Sequence, residues 1–273
     1  MKLLKQNFFS PKAQLVILAA VLLFVFKIFF GTPEIIGLRF LQDFLIAALI
    51  FFVLQILIQF ENSRTTTPLS LVLNTGILLA IMFFLLIFSD YLLPDIFNNI
   101  NLKLNNPGLV YNIVSFIYVL IIIGFISFFL IVLRHFFFLN RTKNVKVYFN
   151  TMLVFFILAS LSINFFRDEN LSFLNTTFFV VSVLLIVFNS IRISWIAFLS
   201  KKEKIYLLLF SFVITILFIV NILNSSDGNI YSQILTAFSP SLKQFNQMIM
   251  IYGSIYFVFL FFTTLFHLPT AEA

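Results

Sequence analysis

Eleven charged or amide side chains recur at matching ends of long apolar runs: Lys27, Glu34, Arg39, Asp43, Asp90, Asn112, Asn164, Arg167, Asp168, Glu169 and Asn221. A polar group at membrane depth costs free energy unless it has a partner or a task. Arg39 and Asp43 are four residues apart, a spacing that sets opposite charges on one helical face. Asp90 closes another apolar run beside Tyr91. Gathered between helices, such groups would line a pocket able to detect a small ligand or ion. Lys27, Arg39, Asp43, Asp90, Asn164 and Arg167 are the candidates for that role. They would equally serve as ordinary helix-end groups at headgroup level that neutralise one another. At the opposite ends of the runs, Arg192, Lys201 and Lys202 are candidates for meeting a lipid or substrate phosphate, although Arg192 can also simply snorkel to the interface. Deeper in the runs, Gln55, Asn74, Asn150 and Asn189 have the chemistry to hydrogen-bond between helices or to line a transport path.

Most enzyme chemistry is excluded by inventory. The chain has no cysteine, so it has no disulfide, thiolate metal site or thiol nucleophile. Its two histidines, His135 and His267, form no His-Glu-x-x-His pair. No metal ligand, cofactor or catalytic residue is assigned. Gly253-Ser254 is similar to a fragment of an intramembrane serine protease motif, but the only histidine further along that run, His267, lies 13 residues beyond Ser254. At helical rise that is about 20 Å, too far for a nucleophile and its base.

The elements that must position these groups follow from composition. Hydrophobic residues make up 62% and charged residues 10% of the chain, against roughly 45–50% and 25% in soluble proteins. Phe is extreme at 42 of 273 residues, an excess read as lipid-facing bulk rather than an aromatic binding site. Runs long enough to cross a hydrocarbon core of about 30 Å predict eight spans. They are Leu15–Phe30, Phe40–Phe60, Leu71–Leu93, Ile113–Leu133, Val147–Phe166, Thr177–Leu199, Ile205–Leu223 and Met248–Phe266. The first lacks a small-x-small cleavage site and reads as an uncleaved helix. Between the last two, Ile230–Phe238 has helical apolar spacing and is expected to lie flat in the interface.

The predicted fold is therefore all-α and integral to the membrane, a bundle of about eight transmembrane helices. If the N-terminus is cytoplasmic, twelve of the 17 Lys and Arg residues fall inside and five, Lys27, Arg39, Lys103, Arg167 and Lys243, fall outside. Cytoplasmic loops are enriched in Lys and Arg, so both termini are expected inside. The net charge of +7 fits this one-sided placement and needs no nucleic acid. Residues 1–268 form one polytopic domain. Pro269 to Ala273 open a cytoplasmic linker helix, as though cut from a longer protein. The expected location is a bacterial inner (cell) membrane. The expected partners are the lipid bilayer, a small-molecule or lipid ligand, and a second copy of the chain in a homodimer.

Tyr252-Gly-Ser-Ile-Tyr256 and the exit Phe266-His-Leu-Pro-Thr-Ala-Glu-Ala273 resemble a junction in certain multidomain bacterial signalling proteins, of the sensor histidine kinase and metal-dependent serine phosphatase types. That resemblance implies a polytopic membrane region passing into a cytoplasmic signalling helix. It makes Phe266, His267, Pro269 and Glu272 the expected output of a sensing or anchoring module, and any kinase or phosphatase chemistry would sit beyond this chain. The competing expectations are a transporter, channel or transport-complex subunit with Asp43 and Asp90 on its pathway, and a lipid-modifying enzyme using Arg192 against phosphate.

Overall fold

The computed structural model describes residues 11–31, 33, 35–61, 67–99, 109–139, 145–165, 172–191, 193, 195–225 and 229–268. Among the described residues there is no strand. The helices are α1 (Pro11–Phe30), α2 (Ile36–Glu61), α3 (Pro68–Asn99), α4 (Leu109–Phe138), α5 (Val145–Ser162), α6 (Ser172–Ser190), α7 (Lys201–Asn224), α8 (Ile230–Phe238) and α9 (Pro240–His267). Two short 3-10 turns, Ile163–Phe165 and Trp195–Phe198, follow α5 and α6. Helices dominate because lipid offers no partner to a backbone N–H or C=O, and only a helix satisfies both within one segment.

Among the described residues seven helices are long and apolar enough to cross a membrane, and the chain is a multi-pass helical membrane protein. Where an eighth span was expected at Val147–Phe166, the apolar helix runs only over Lys146–Ser162 and tightens into the 3-10 turn. The bundle shows lipid what a soluble protein would hide: Phe29, Phe44, Phe84, Phe173 and Phe198 are each more than two-thirds exposed. Phe is therefore lipid-facing bulk in part. Yet Phe129, Phe136, Phe156, Phe218 and Phe257 are almost fully enclosed, so Phe also builds the core.

Two boundaries differ most from the sequence pattern. The sixth expected span, Thr177–Leu199, stops being α-helical at Ser190. The last helix starts at Pro240 instead of Met248, because Ser239 caps it, accepting from the Leu242 N–H at 3.1 Å, and Pro240 opens its first turn. A rule that follows apolar runs stops at Lys243, Gln244 and Asn246, but the structure buries Gln244 and Asn246 against protein.

α9 is the axis of the bundle, packing on α7, α6, α5 and α8. Lipid is as apolar as the side chains, so helices associate in it through close packing rather than a hydrophobic drive. Gly253 permits the closest approach: a Cβ there would lie 2.1 Å from the Phe218 ring of α7. That ring has little room to retreat, held between Phe129 at 6.0 Å and Phe257 at 5.8 Å. Gly253 thus seats a neighbouring ring, which accounts for the residue without any protease chemistry. Gly253→Ala is expected to cost about 1–3 kcal/mol by overpacking, and adding Phe218→Leu to it should recover part of that loss in detergent unfolding. An unchanged midpoint for Gly253→Ala alone would refute this packing.

Candidate functional site

Asp43 lies one turn into the apolar part of α2 and is only 8% exposed. Three donors converge on its carboxylate. Asn164 of the 3-10 turn donates to Oδ2 at 2.7 Å, Ser241 to Oδ2 at 2.7 Å and Ser239 to Oδ1 at 2.8 Å. A carboxylate has about four lone-pair sites to offer, so both oxygens are engaged. One side chain thereby joins α2, the end of α5 and the start of α9.

The same turn between α8 and α9 is held from a second side. Lys27, buried in α1, donates through Nζ to the Ala237 carbonyl at 3.1 Å and sits 4.8 Å from the Phe238 ring centroid. Gln42 donates through Nε2 to the Phe238 carbonyl. At the other end of α8, Asp90 of α3 accepts from the Ile230 N–H at 3.0 Å. A nine-residue helix thus has a carboxylate at its N-terminal end and an ammonium at its C-terminal end. Those are the signs that its aligned peptide dipoles favour.

α8 turns its apolar face onto the bundle: Tyr231, Ile234, Leu235 and Phe238 are each at most 2% exposed, while Gln233 and Thr236 on its other face are exposed. Burial pushes the pKa of the Tyr231 phenol up, and its oxygen accepts from Asn246 of α9. Its ring meets Tyr118 edge-on at 6.2 Å.

Beside this turn is a cavity of about 280 Å³, lined by Arg39, Gln42, Asp43, Asn164, Thr236 and Ser239 among others. Lys27, Arg39, Asp43 and Asn164, expected together, do surround one structural unit. The expected Arg39–Asp43 pairing is not what holds Asp43, whose partners are an amide and two hydroxyls. The Arg39 Nε instead donates to the Pro33 carbonyl at 2.8 Å. Asp90 is set apart, at the far end of α8. Arg167, Glu34, Asp168 and Glu169 lie outside the described residues.

Gln42, Ser239 and Ser241 were missed by sequence reasoning. The Ser-Pro-Ser of 239–241 after an apolar run is a helix-start signal that could have flagged two of them. Gln42 carries no such mark. The expected interhelical amides also differ. Asn74 and Asn150 are exposed and the buried Asn189 amide has no hydrogen-bond partner, whereas Asn221 of α7 reaches the Leu79 carbonyl of α3 at 3.3 Å.

On the opposite face, Lys204 is 3% exposed and donates through Nζ to the His267 carbonyl at 3.3 Å, placing a cation on the C-terminal end of α9. Lys201 and Lys202 are exposed at the start of α7, which a capping box of Ser200 and Glu203 fixes. Phe266 is 74% exposed, and the His267 Nδ1 lies 2.8 Å from the Thr263 carbonyl. Arg192, Pro269 and Glu272 lie outside the described residues. No cluster of three or more metal-ligating side chains occurs among the described residues.

Comparison of the chain with protein-family models, with curated proteins and with solved structures returns no match. The site is thus characterised by its own geometry. It offers a carboxylate, a guanidinium, amides and hydroxyls to a small polar ligand. Asp43→Ala would leave three buried donors unpaired, at about 1–3 kcal/mol each wherever no other acceptor is found, and should lower the midpoint of detergent unfolding accordingly. Lys27→Met and Asp90→Asn should each raise hydrogen exchange selectively across 230–238. Uniform exchange throughout the bundle in those variants would show that α8 is not held by its ends.

Proposed function

We propose that this chain is a membrane-embedded sensing module, with its input at the Asp43 cavity and its output at the far end of α9. The observation that carries the reading is the continuity of one helix. α9 begins at Ser239, whose hydroxyl is on Asp43, and ends at His267, whose carbonyl is on Lys204. Its 28 residues span about 42 Å, so a displacement at the cavity end is delivered as a rigid shift at the other.

Signalling requires two packings that a ligand binds unequally. The polar turn supplies the alternative, because Asp43 can exchange serine and amide donors for donors on a bound ligand. One-sided placement of Lys and Arg supports a cavity facing outward, an output facing the cytoplasm and eight crossings with α5 as the short one. Phe266 and His267 then present the shift to a cytoplasmic effector domain, as in the signalling proteins whose membrane junction the exit segment resembles. A bacterial inner membrane fits this arrangement.

The absence of native cysteine makes labelling direct. Spin labels at Lys202→Cys and Phe266→Cys should change separation when Asp43→Asn is added, and not when Gln55→Ala is added. An Asp43→Asn distance distribution identical to the parent would refute coupling. On intact cells an impermeant maleimide should label Thr236→Cys, and Lys202→Cys only after permeabilisation. The reverse pattern would invert the module.

A second reading, a transporter or channel subunit, is favoured by the break between α8 and α9 at Ser239, since interrupted helices often flank transported solutes. Asp43→Asn abolishing solute flux in proteoliposomes, with the label separation unchanged, would select it.

A further inference from the structure

α2 and α5 face each other without packing together along their lengths among the described residues, and the space between them is not empty of design. Two cavities, of about 280 and 330 Å³, share the walls Phe51, Leu54, Leu130 and Leu153. They form one cleft with α4 as its floor. The upper part is apolar and ends at Asp43 and Ser241. The lower part ends among Gln55, Arg134, Lys146 and Asn150, and among the described residues no Asp or Glu lines it. The Arg134 guanidinium rests over the Phe138 ring at 5.3 Å, while Lys146 is exposed.

We propose that this cleft holds one anionic phospholipid of the surrounding membrane, its phosphate between Arg134 and Lys146 and an acyl chain running toward Asp43. Charge and length both favour that occupant. Two cations without a carboxylate among the described lining residues call for an anion, and the amides of Gln55 and Asn150 can donate to phosphate oxygens. From Ile46 to Ile58, α2 advances about 18 Å, close to one leaflet's half of a hydrocarbon core of about 30 Å. A second groove, between α1, α2 and α4, has a larger cavity of about 460 Å³ but no charged lining residue among the described residues. It has no means to select a headgroup and serves as the internal contrast.

The test uses the full chain in bilayers, with Trp195→Phe as background so that an introduced tryptophan is the sole emitter. Leu54→Trp places a reporter in the cleft, and Val21→Trp places one in the uncharged groove. Brominated phosphatidylglycerol should quench Leu54→Trp at roughly thirtyfold lower mole fraction than brominated phosphatidylcholine, the scale two basic groups supply near an anionic headgroup. Val21→Trp should show no preference. Arg134→Gln with Lys146→Gln should erase the preference at Leu54→Trp, and Arg134→Lys with Lys146→Arg should keep it, which separates lost charge from lost folding. Equal quenching by the two lipids, or a preference that survives removal of both charges, would overturn the proposal.

Discussion

A carboxylate buried among helices obliges its neighbours to supply donors, and Asp43 sets much of this structure by that demand. In lipid an unpaired polar group has no water to fall back on. The amide of Asn164 and the hydroxyls of Ser239 and Ser241 therefore have to arrive together. Their arrival fixes where α5 ends and where α9 begins. The α8–α9 turn then presents its carbonyls to Lys27 and Gln42. Neither cation nor carboxylate is held by a partner of opposite charge here; each is held by dipoles. A dipolar arrangement can be rearranged with less penalty than a buried ion pair, whose breaking strands a charge.

Away from that node the bundle is held by shape. Gly253 against Phe218, and the ring contacts of Phe129 with Phe218, Phe136 with Tyr256 and Phe156 with Tyr252, interlock α4, α5, α7 and α9. Ring-on-ring contact gives dispersion and edge-to-face attraction that lipid tails do not match as densely. The polar end and the aromatic middle do different work. One sets where α9 sits along its axis, and the other sets which helices flank it.

The helical membrane character was legible in composition, and most span positions were legible as apolar runs, because lipid imposes length and apolarity directly on a sequence. The runs failed where burial came from protein instead. Gln244 and Asn246 look like loop residues by polarity, yet they are enclosed within α9. α8 has the spacing of an interfacial helix, and nothing in its nine residues reveals that its apolar face meets α3, α4 and α9. Of the candidate site, the charged members Lys27, Arg39 and Asp43 were visible because charge is rare in this chain. Gln42, Ser239 and Ser241 were hidden because serine and glutamine are unremarkable at helix ends. Their role depends on a fold-level meeting that single-residue chemistry does not encode.

α5 has one more consequence. Its 18 helical residues reach about 27 Å, and α6, which packs on it, reaches about 28 Å with 19. The α5–α6 pair is thus the part of the bundle whose apolar length best matches a thin hydrocarbon layer, while the longer helices around α9 suit a thicker one.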